Sequence, residues 1–306
     1  MTQEQEQEYK EKIGSPEMEH LQYLMENPTP TPSDTFIEEK IEEIINKIHC
    51  ADCLDFMKDI PDNSIDLTVT SPPYDNLRKY NGYTFNFEGI AKELYRVTKQ
   101  GGIVVWVVGD ATINGSETGT SFRQALYFKE IGFNVHDTMI YQKNSYPFPP
   151  VNRYYQQFEY MFVFSKGKPK TTNIQRCETD PRWRNKINKT SSMRLSNGET
   201  TKLKYEVGKD TRKMDNVWKI NTGYMKGTPD KIAFKHPATF PDLLAERHIL
   251  SWSNEGDLVL DPMCGSGTTC KMAKLNNRNY IGIDISQDYC DIAEQRINNL
   301  PTRLPQ

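Results

Sequence analysis

The stretch Gly256-Asp-Leu-Val-Leu-Asp-Pro-Met-Cys-Gly-Ser-Gly-Thr-Thr269, followed by Tyr280-Ile-Gly-Ile-Asp284, decides the fold. Leu258–Leu260 is a short apolar run of strand type, and Pro262 ends it because proline cannot donate to a sheet ladder. The residues after the second turn glycine are predicted as a helix to Leu275, and the second stretch as another strand. The result is a strand–turn–helix–strand unit, the building block of an open α/β sheet.

The turn itself points to a ligand. Gly265 and Gly267 allow a tight bend and let a ligand lie close to the backbone, at the N–H end of the following helix. Asp284 follows about 20 residues past the turn, where a carboxylate can accept hydrogen bonds from a ribose. The third glycine of the dinucleotide fingerprint and the Gly-Lys-Ser/Thr of a phosphate loop are both absent. The turn therefore favours a nucleoside cofactor without phosphates, although an ordinary strand–helix turn can also use glycine.

Length and composition fit an ordinary α/β protein. The 306 residues, 36% hydrophobic and 26% charged, can bury one large core, or one domain plus an insert. No apolar stretch approaches the ~20 residues of a membrane span, and the acidic N-terminus does not fit a signal peptide. Most of the six cysteines lie in or beside apolar segments, which suits free thiols in a reducing compartment. Cys50-x-x-Cys53 has no second Cys/His pair at finger spacing, so no metal is expected.

Charge is distributed unevenly along the chain. Residues 1–48 hold 12 acidic and 4 basic side chains, a net charge of −8, and residues 1–33 are predicted to be a disordered acidic arm. Residues 166–235 hold 18 basic and 7 acidic side chains, a net charge of +11, with Trp183, Tyr205, Trp218 and Tyr224 among them. A solvated surface could have this composition, but a nucleic-acid-contacting insert is the favoured interpretation.

Outside the insert, strand and helix signals alternate. The predicted strands are Ile48–Cys50, Ile65–Thr70, Ile103–Val108, Phe133–Gln142, Phe158–Ser165 and the two beside the glycine turn. The predicted helices between them include Phe87–Val97 and Ser121–Ile131. This alternation predicts a doubly wound, seven-stranded mixed α/β sheet. Because no helical segment separates Phe133–Gln142 from Phe158–Ser165, these two strands are expected to pair antiparallel.

Ser71-Pro72-Pro73-Tyr74 is the second informative site. Two prolines fix the backbone at the carboxyl end of the Ile65–Thr70 strand, where open α/β sheets bind ligands. The Ser71 hydroxyl and the Pro72 carbonyl can accept hydrogen bonds from an amino group, and Tyr74 can stack on a planar ring. These groups suit the exocyclic amine of a base pulled out of the helix. A stiff turn that only ends the strand is the alternative.

Thr70-Ser-Pro-Pro-Tyr74, followed far downstream by Asp261-Pro-x-Cys-Gly-Ser-Gly-Thr-Thr269, resembles the DNA amino-methyltransferases. The order of the motifs, with the tetrapeptide first, the basic insert next and the cofactor turn last, is similar to the β group of that family. Ala51-Asp52-Cys53-Leu54 resembles the family's segment at the cofactor adenine. His236-Pro237-Ala238-Thr239-Phe240-Pro241 resembles the stretch before its cofactor helix. The resemblance covers roughly residues 48–297.

The resemblance implies a Rossmann-like methyltransferase fold with circularly permuted motif order. It implies a catalytic half at 34–165, a DNA target-recognition insert at 166–235 and a cofactor-binding half at 236–306. S-adenosyl-L-methionine would be the cofactor, held by Asp52, Cys53, Phe240, Asp261, Pro262, Cys264, Gly265, Gly267, Thr268, Thr269 and Asp284. Catalysis would fall to Ser71, Pro72, Pro73 and Tyr74. The residues expected to contact DNA are Arg78, Lys79, Arg182, Arg184 and Lys186.

The expected reaction is direct in-line transfer of a methyl group to a flipped base of duplex DNA, with no cysteine nucleophile. Expected partners are double-stranded DNA, a cognate restriction endonuclease and a second copy of the chain, in the cytoplasm of a bacterial or phage-infected cell. No membrane and no metal are expected.

Two positions depart from the family pattern. Met263 stands where a phenylalanine is usual, so a ring contact with the cofactor is lost and an apolar wall is kept. Ser71 stands where adenine-modifying members usually have aspartate, which favours N4 of cytosine over N6 of adenine as the target. Adenine-N6 methylation, methylation of RNA or of a protein amide, and a non-catalytic DNA-binding module are the remaining alternatives. For Asp52, the alternative is a role as a helix cap only. For Phe240, the alternative is a role as a core aromatic residue.

Overall fold

A computed structural model of the chain describes residues 39–73, 85–144, 152–180, 190–204 and 210–300. Residues 44–306 cluster as one compact unit. Among the described residues, no helix is long and apolar enough to cross a membrane.

The elements are numbered here in chain order. The strands are β1 (Lys47–Cys50), β2 (Ile65–Thr70), β3 (Thr98–Val108), β4 (Thr112–Ile113), β5 (Ser116–Glu117), β6 (Asn134–Lys143), β7 (Phe158–Ser165), β8 (Arg176–Glu178), β9 (Thr190–Arg194), β10 (Thr200–Lys204), β11 (Thr211–Lys213), β12 (Val217–Ile220), β13 (Leu258–Asp261) and β14 (Asn279–Asp284). The helices are α1 (Cys53–Met57), α2 (Phe87–Val97), α3 (Thr120–Glu130), α4 (Asp242–Trp252), α5 (Thr268–Leu275) and α6 (Gln287–Asn298), with a 3₁₀ helix at Lys231–Lys235. Residues 39–44 are also helical.

One large mixed sheet has the strand order β1-β14-β13-β2-β3-β7-β6-β12. The first five strands pair in parallel. β7 pairs antiparallel with β6, as expected for two strands that no helix separates, and it also pairs antiparallel with β3. The prediction of a doubly wound mixed sheet is confirmed.

The sheet has eight strands, so the prediction of seven was wrong by one. The additional strand is β12, which pairs in parallel with β6. Trp218 and Ile220 are buried while Val217 and Lys219 are exposed. Four alternating residues within a lysine-rich stretch are too few to distinguish a sheet edge from an insert by pattern. Trp218 therefore lies in the protein core rather than on a basic surface.

Strand β3 carries the centre of the core. Ile103 to Val108 are all buried, because helices cover both faces of the sheet. Val105 belongs to a hydrophobic cluster with Leu244 and Ile249 of α4. On the other face, the Trp106 ring lies 5.2 Å from the Phe128 ring of α3. This packing fixes the carboxyl ends of the central strands.

The basic insert contains two small antiparallel ribbons outside the large sheet. β8 pairs with β11, and β9 pairs with β10. Their side chains are mostly exposed where the structure describes them. Short, exposed ribbons with little core of their own are a usual way to present side chains to a partner.

Candidate active site

A cleft of about 1800 Å³ runs along the carboxyl edge of the sheet. It extends from the ends of β1 and β14, across β13 and β2, to β6 and β7. Ten of the eleven residues predicted to hold the cofactor line it: Asp52, Cys53, Phe240, Asp261, Pro262, Cys264, Gly265, Thr268, Thr269 and Asp284. Ser71, Pro72 and Pro73 line the same cleft, so the two sequence motifs meet there.

The glycine turn is held by backbone hydrogen bonds. Cys264 donates its N–H to the Ile283 carbonyl at 2.8 Å, and Gly267 donates to the Cys264 carbonyl at 2.7 Å. Gly265 has a φ of 49°, and a Cβ atom there would lie 2.9 Å from Nε2 of His236. A side chain at Gly265 would therefore displace a wall of the cleft.

Gly267 packs closely against α6. Its φ is 74°, and a Cβ atom there would lie 2.6 Å from Cβ of Ala293 on α6. Gly267 does not line the cleft, unlike its neighbours Ser266 and Thr268. The second glycine of the motif therefore lets α6 pack closely against the turn, and the sequence pattern alone does not distinguish this from contact with a ligand.

Two carboxylates lie at the β1 end of the cleft. Asp284 accepts hydrogen bonds from the N–H of Gly265 at 2.8 Å and from the N–H of Ser286 at 2.9 Å. Asp52 caps α1 and accepts from the N–H groups of Leu54 at 2.8 Å and Asp55 at 3.2 Å. Each carboxylate is thereby oriented, and each still has lone pairs for further donors. Asp52 is thus a helix cap that also lines the cleft.

Asp261 joins the two motifs. It is buried at the end of β13, and Thr70 at the end of β2 donates its hydroxyl to Oδ1 at 2.8 Å. Met263 donates its N–H to the same oxygen at 3.2 Å. Burial raises the pKa of Asp261 to about 6, although hydrogen bonds from Thr70, Thr269 and Met263 lower it. Burial disfavours the ionised form of this carboxylate. Beside an open cleft, such a group is suited to bind a positively charged group.

The two cysteines of the cleft, Cys53 and Cys264, have raised pKa values. Burial, with a smaller contribution from Asp52, raises the pKa of Cys53 to about 12. A hydrogen bond with Cys270, together with burial, holds the pKa of Cys264 well above its ordinary value. Neither thiol is therefore ionised near neutral pH.

A buried ion-pair network supports the turn from below, and sequence reasoning missed it. The Arg296 side chain is 0% exposed and makes ion pairs with Asp230 and Asp242 at 3.0 and 3.2 Å. Lys271 bonds the same two aspartates, at 2.6 Å each. Arg296 also donates to the Ser266 carbonyl at 2.6 Å and to the Thr268 hydroxyl at 3.0 Å.

One sequence signal could have located part of this network. Ile292, Ala293, Arg296 and Ile297 are all buried on one face of α6, so the helical spacing places an arginine among core positions. The partners are 54 and 66 residues away, and local patterns do not show such pairings. Although burial raises the pKa of Asp230, the hydrogen bonds and charges of Lys271 and Arg296 lower it below its ordinary value.

Most of the acidic side chains of the cleft lie at one end, whereas at the other end Glu159 pairs with Lys143. Asp52, Asp261, Asp284 and Asp288 line the end formed by β1, β14 and β13. Among the described lining residues, the only lysine and arginine are Lys143 and Arg123, at the opposite end. An acidic end with a glycine turn fits a cofactor that carries positive charge and no phosphate. S-adenosyl-L-methionine, with a sulfonium and an ammonium group, matches this set of carboxylates.

Several predicted residues lie outside the described ranges. They are Tyr74 of the tetrapeptide, the predicted DNA contacts Arg78, Lys79, Arg182, Arg184 and Lys186, and the acidic arm 1–33. For these residues the sequence predictions stand as predictions.

A doubly wound sheet that brings an acidic cofactor turn and a Ser-Pro-Pro turn to one cleft defines the methyltransferase class. The family model for the N6/N4 DNA methylases matches residues 65–295. The chain belongs to this family. It is a DNA methyltransferase that uses S-adenosyl-L-methionine.

Individual relatives agree with this assignment. The orphan methyltransferase M.BamHII of Bacillus amyloliquefaciens is 62% identical over 243 residues, which cover 79% of this chain and 92% of that protein. The type II methyltransferase M.BglII of Bacillus subtilis is 28% identical over 84% of this chain and 70% of its own length.

Solved structures share the fold. The PvuII cytosine-N4-specific DNA methyltransferase matches with a TM-score of 0.60 and 20% identity, over 84% of this chain and 87% of that one. The complex of M1.HpyAVI with S-adenosyl-L-methionine matches with a TM-score of 0.54 and 22% identity, over 82% and 99% of the two chains.

Proposed function

We propose that the protein methylates the exocyclic N4 of cytosine in duplex DNA, by direct transfer to a base flipped into the cleft. The observation that carries this proposal is the position of Ser71 and Pro72 in the cleft, directly after Thr70, which hydrogen-bonds Asp261 at 2.8 Å. This bond joins the ends of the strands that carry the two motifs, which supports a shared role for them in the reaction. Serine as the first residue of the tetrapeptide supports cytosine.

The tetrapeptide orients the amine. Pro72 and Pro73 have no N–H, so this turn offers acceptors to an amino group. The Ser71 hydroxyl and the Pro72 carbonyl accept hydrogen bonds from the two N–H groups of the amine. They thereby direct the nitrogen lone pair along the line of methyl transfer. Tyr74, which lies outside the described residues, is proposed to stack on the ring. Catalysis then consists mainly of orientation and electrostatics.

The acidic end of the cleft is proposed to hold the cofactor. Asp284 accepts hydrogen bonds from the ribose hydroxyls, and Asp52 and Cys53 flank the adenine. Asp261 pairs with the ammonium group of the methionine part, and Phe240 contributes an apolar wall. When bound, S-adenosyl-L-methionine supplies a methyl group on a sulfonium, which is already a good leaving group.

The basic segments are proposed to bind the DNA backbone. The net charge of +11 on residues 166–235 supports this role, and phosphate contacts of this kind weaken as salt is added. A restriction endonuclease partner and a homodimer remain further proposals for this chain.

The test is to incubate the protein with S-adenosyl-L-methionine and mixed-sequence duplex DNA, digest the DNA and identify the modified nucleoside by mass spectrometry. N4-methylcytosine is the expected product. If N6-methyladenine is found instead, the target base is adenine and not cytosine, and the rest of the proposed reaction is unchanged. No modified nucleoside, with RNA also unmodified, would contradict the proposal.

A matched pair of variants tests the tetrapeptide. Ser71→Ala should lower kcat by about a hundredfold or more, because the amine loses an orienting acceptor. Ser64→Ala is the control, since Ser64 precedes the same strand at its opposite end and its hydroxyl donates to the Pro61 carbonyl, at 2.7 Å. Full activity in Ser71→Ala would refute the role given to this hydroxyl.

A further inference from the structure

The lip of the cleft carries an aromatic pocket that the reaction described above does not use. A cavity of about 220 Å³ is lined by Thr222, Gly223, Tyr224, Gly227, Phe234, Thr239 and Pro241. Thr222, Thr239 and Pro241 also line the main cleft, so the two spaces are neighbours. The small cavity is below the ~300–1,000 Å³ of sites for drug-sized ligands, and its size suits one planar ring.

Tyr224 is held outward at this pocket. Its side chain is 65% exposed, although its ring lies 4.7 Å from the ring of Phe234 beneath it. Burying this much aromatic surface against a partner would be favourable, and a ring supported from below offers a stacking surface.

The loop that carries Tyr224 is fixed at both ends. Thr222 donates its N–H and its hydroxyl to Oδ1 of Asn144, at 2.8 and 3.0 Å. The Gly227 carbonyl accepts from the N–H of Asp242 at 2.9 Å. Met225 has a φ of 60°, which is rare for a residue with a side chain. Such strained backbone is typical of functional sites.

Four exposed lysines lie close in sequence to the residues that line the pocket. Lys219, Lys226, Lys231 and Lys235 are exposed, and none of them makes an ion pair with the described residues. The only acidic residue between positions 216 and 240 is Asp230, which is already paired with Lys271 and Arg296. Exposed lysines around a stacking ring match the two parts of a nucleotide, its phosphate and its base.

We propose that Tyr224 and Phe234 form a binding site for one unpaired nucleobase of the DNA, beside the base that is methylated. The Tyr224 ring stacks on that base, and the lysines contact its phosphates. This inference rests on the proposed function, because an unpaired base arises at the cleft when the target base leaves the helix. An apolar peptide is the less suitable occupant, since it does not use the four lysines.

The site can be tested without knowledge of the recognition sequence. The probes are a fluorescent dT oligonucleotide of about 12 nucleotides, within the usual range of single-strand sites, and an abasic oligomer of equal length. Both carry the same phosphates, and only the first carries bases. The wild-type protein should bind the dT probe more tightly than the abasic one.

Tyr224→Ala should reduce the affinity for the dT probe by about tenfold and leave the affinity for the abasic probe unchanged. Tyr224→Phe and Tyr224→Trp should stay within about twofold of the wild type, because stacking is retained. Tyr154→Ala is the control, since Tyr154 is 99% exposed and lines neither cavity.

Three results would overturn the proposal. They are an equal loss for both probes, an equal loss in Tyr154→Ala, and a loss in Tyr224→Phe as large as in Tyr224→Ala. Calorimetry with S-adenosyl-L-methionine should show the same affinity in all these variants. If the wild type modifies no nucleoside in the mass-spectrometric test, the proposed function fails independently of the binding result.

Discussion

The glycine turn and the lip of the cleft at Tyr224 are built in opposite ways. At the cofactor end, Asp261 is buried with bonded oxygens, and the glycine turn rests on the buried Arg296 network. At the lip of the cleft, Tyr224 and the lysines of residues 219–235 are exposed, and none of these lysines makes an ion pair with the described residues. Fixed, buried groups suit one small cofactor of constant shape. Exposed, cationic groups suit a long polyanion whose position along the groove varies.

This difference makes the consequences of substitution differ in kind. Changes at the cofactor end should alter folding stability and cofactor affinity together, because buried charges have few alternative partners. Changes at the lip of the cleft should alter only the affinity for DNA. The following experiments test the contrast from the largest expected effect to the smallest.

The largest effect is expected for Arg296→Met. The change leaves Asp230 and Asp242 without their arginine, and breaking a buried pair costs about 3–5 kcal/mol. Urea denaturation should show that loss in the free energy of unfolding. Arg296→Lys should recover part of it, although lysine lacks the forked group that reaches both the aspartates and the Ser266 carbonyl.

The control for Arg296 is an exposed pair of the same type. Arg212→Met removes the partner of Asp215, whose ion pair at 2.7 Å lies at the surface. Surface pairs contribute little, so no measurable change in stability is expected. Equal losses in the two variants would contradict the distinct role of the buried network.

The next effect is expected for Gly267→Ala. The added methyl group would lie 2.6 Å from Cβ of Ala293, at a φ of 74°. Left-handed strain and overpacking together should reduce the free energy of unfolding by about 2–4 kcal/mol. The matched variant is Gly115→Ala, where φ is 78° and nothing lies within 4 Å of the new atom, so only about 1 kcal/mol is expected. Thermal or urea unfolding of both proteins measures the difference.

Asp261→Asn separates stability from function. The folded-state pKa of Asp261, about 6, is above its ordinary value of 3.8, so the folded protein binds this proton more tightly than the unfolded chain does. Ionisation of Asp261 therefore destabilises the fold increasingly from about pH 4 to about pH 6, by about 3 kcal/mol, and constantly above pH 6.

The asparagine variant should lack this slope, so its stability relative to the wild type should be greater at pH 7 than at pH 4. Its affinity for S-adenosyl-L-methionine, measured by calorimetry, should fall by about tenfold or more because the ammonium group loses its counter-charge. A variant with the wild-type slope between pH 4 and 6 would show that another group causes it.

The smallest effect is expected for an exposed lysine at the lip of the cleft. Lys235→Ala should reduce the slope of log K against log salt for duplex DNA by about 1, and leave stability and cofactor affinity unchanged. Lys129→Ala is the control, because this exposed lysine is in the last turn of α3 and lines neither cavity. A change in cofactor affinity in Lys235→Ala would contradict the prediction that the exposed lysines affect only the binding of DNA.

Much of the fold follows from local pattern. β2, β7, α2 and α5 begin and end at the residues predicted from the sequence. These elements are long apolar or amphipathic runs, whose period identifies them without knowledge of their neighbours. β12 was missed because four alternating residues carry too little pattern, and its burial depends on β6, more than seventy residues away.

The candidate site was predicted where chemistry is local in sequence. The glycine turn, Asp284 and the Ser-Pro-Pro turn are recognisable as short motifs, and the structure brings them to one cleft. The Arg296 network and the packing role of Gly267 depend on contacts between distant elements. A glycine that admits a ligand and a glycine that admits a helix look the same in a sequence.

The pairing of β2 with β13 has a consequence for how the protein is made. The two strands are neighbours in the sheet, yet the hydrogen bond between Thr70 and Asp261 spans 191 residues. While the ribosome synthesises the intervening chain, β2 can pair only with β3, and its other edge stays open to aggregation or to a chaperone. Such distant contacts form late in folding. The nascent chain therefore cannot join the Ser-Pro-Pro turn to the glycine turn until residues 258–284 emerge.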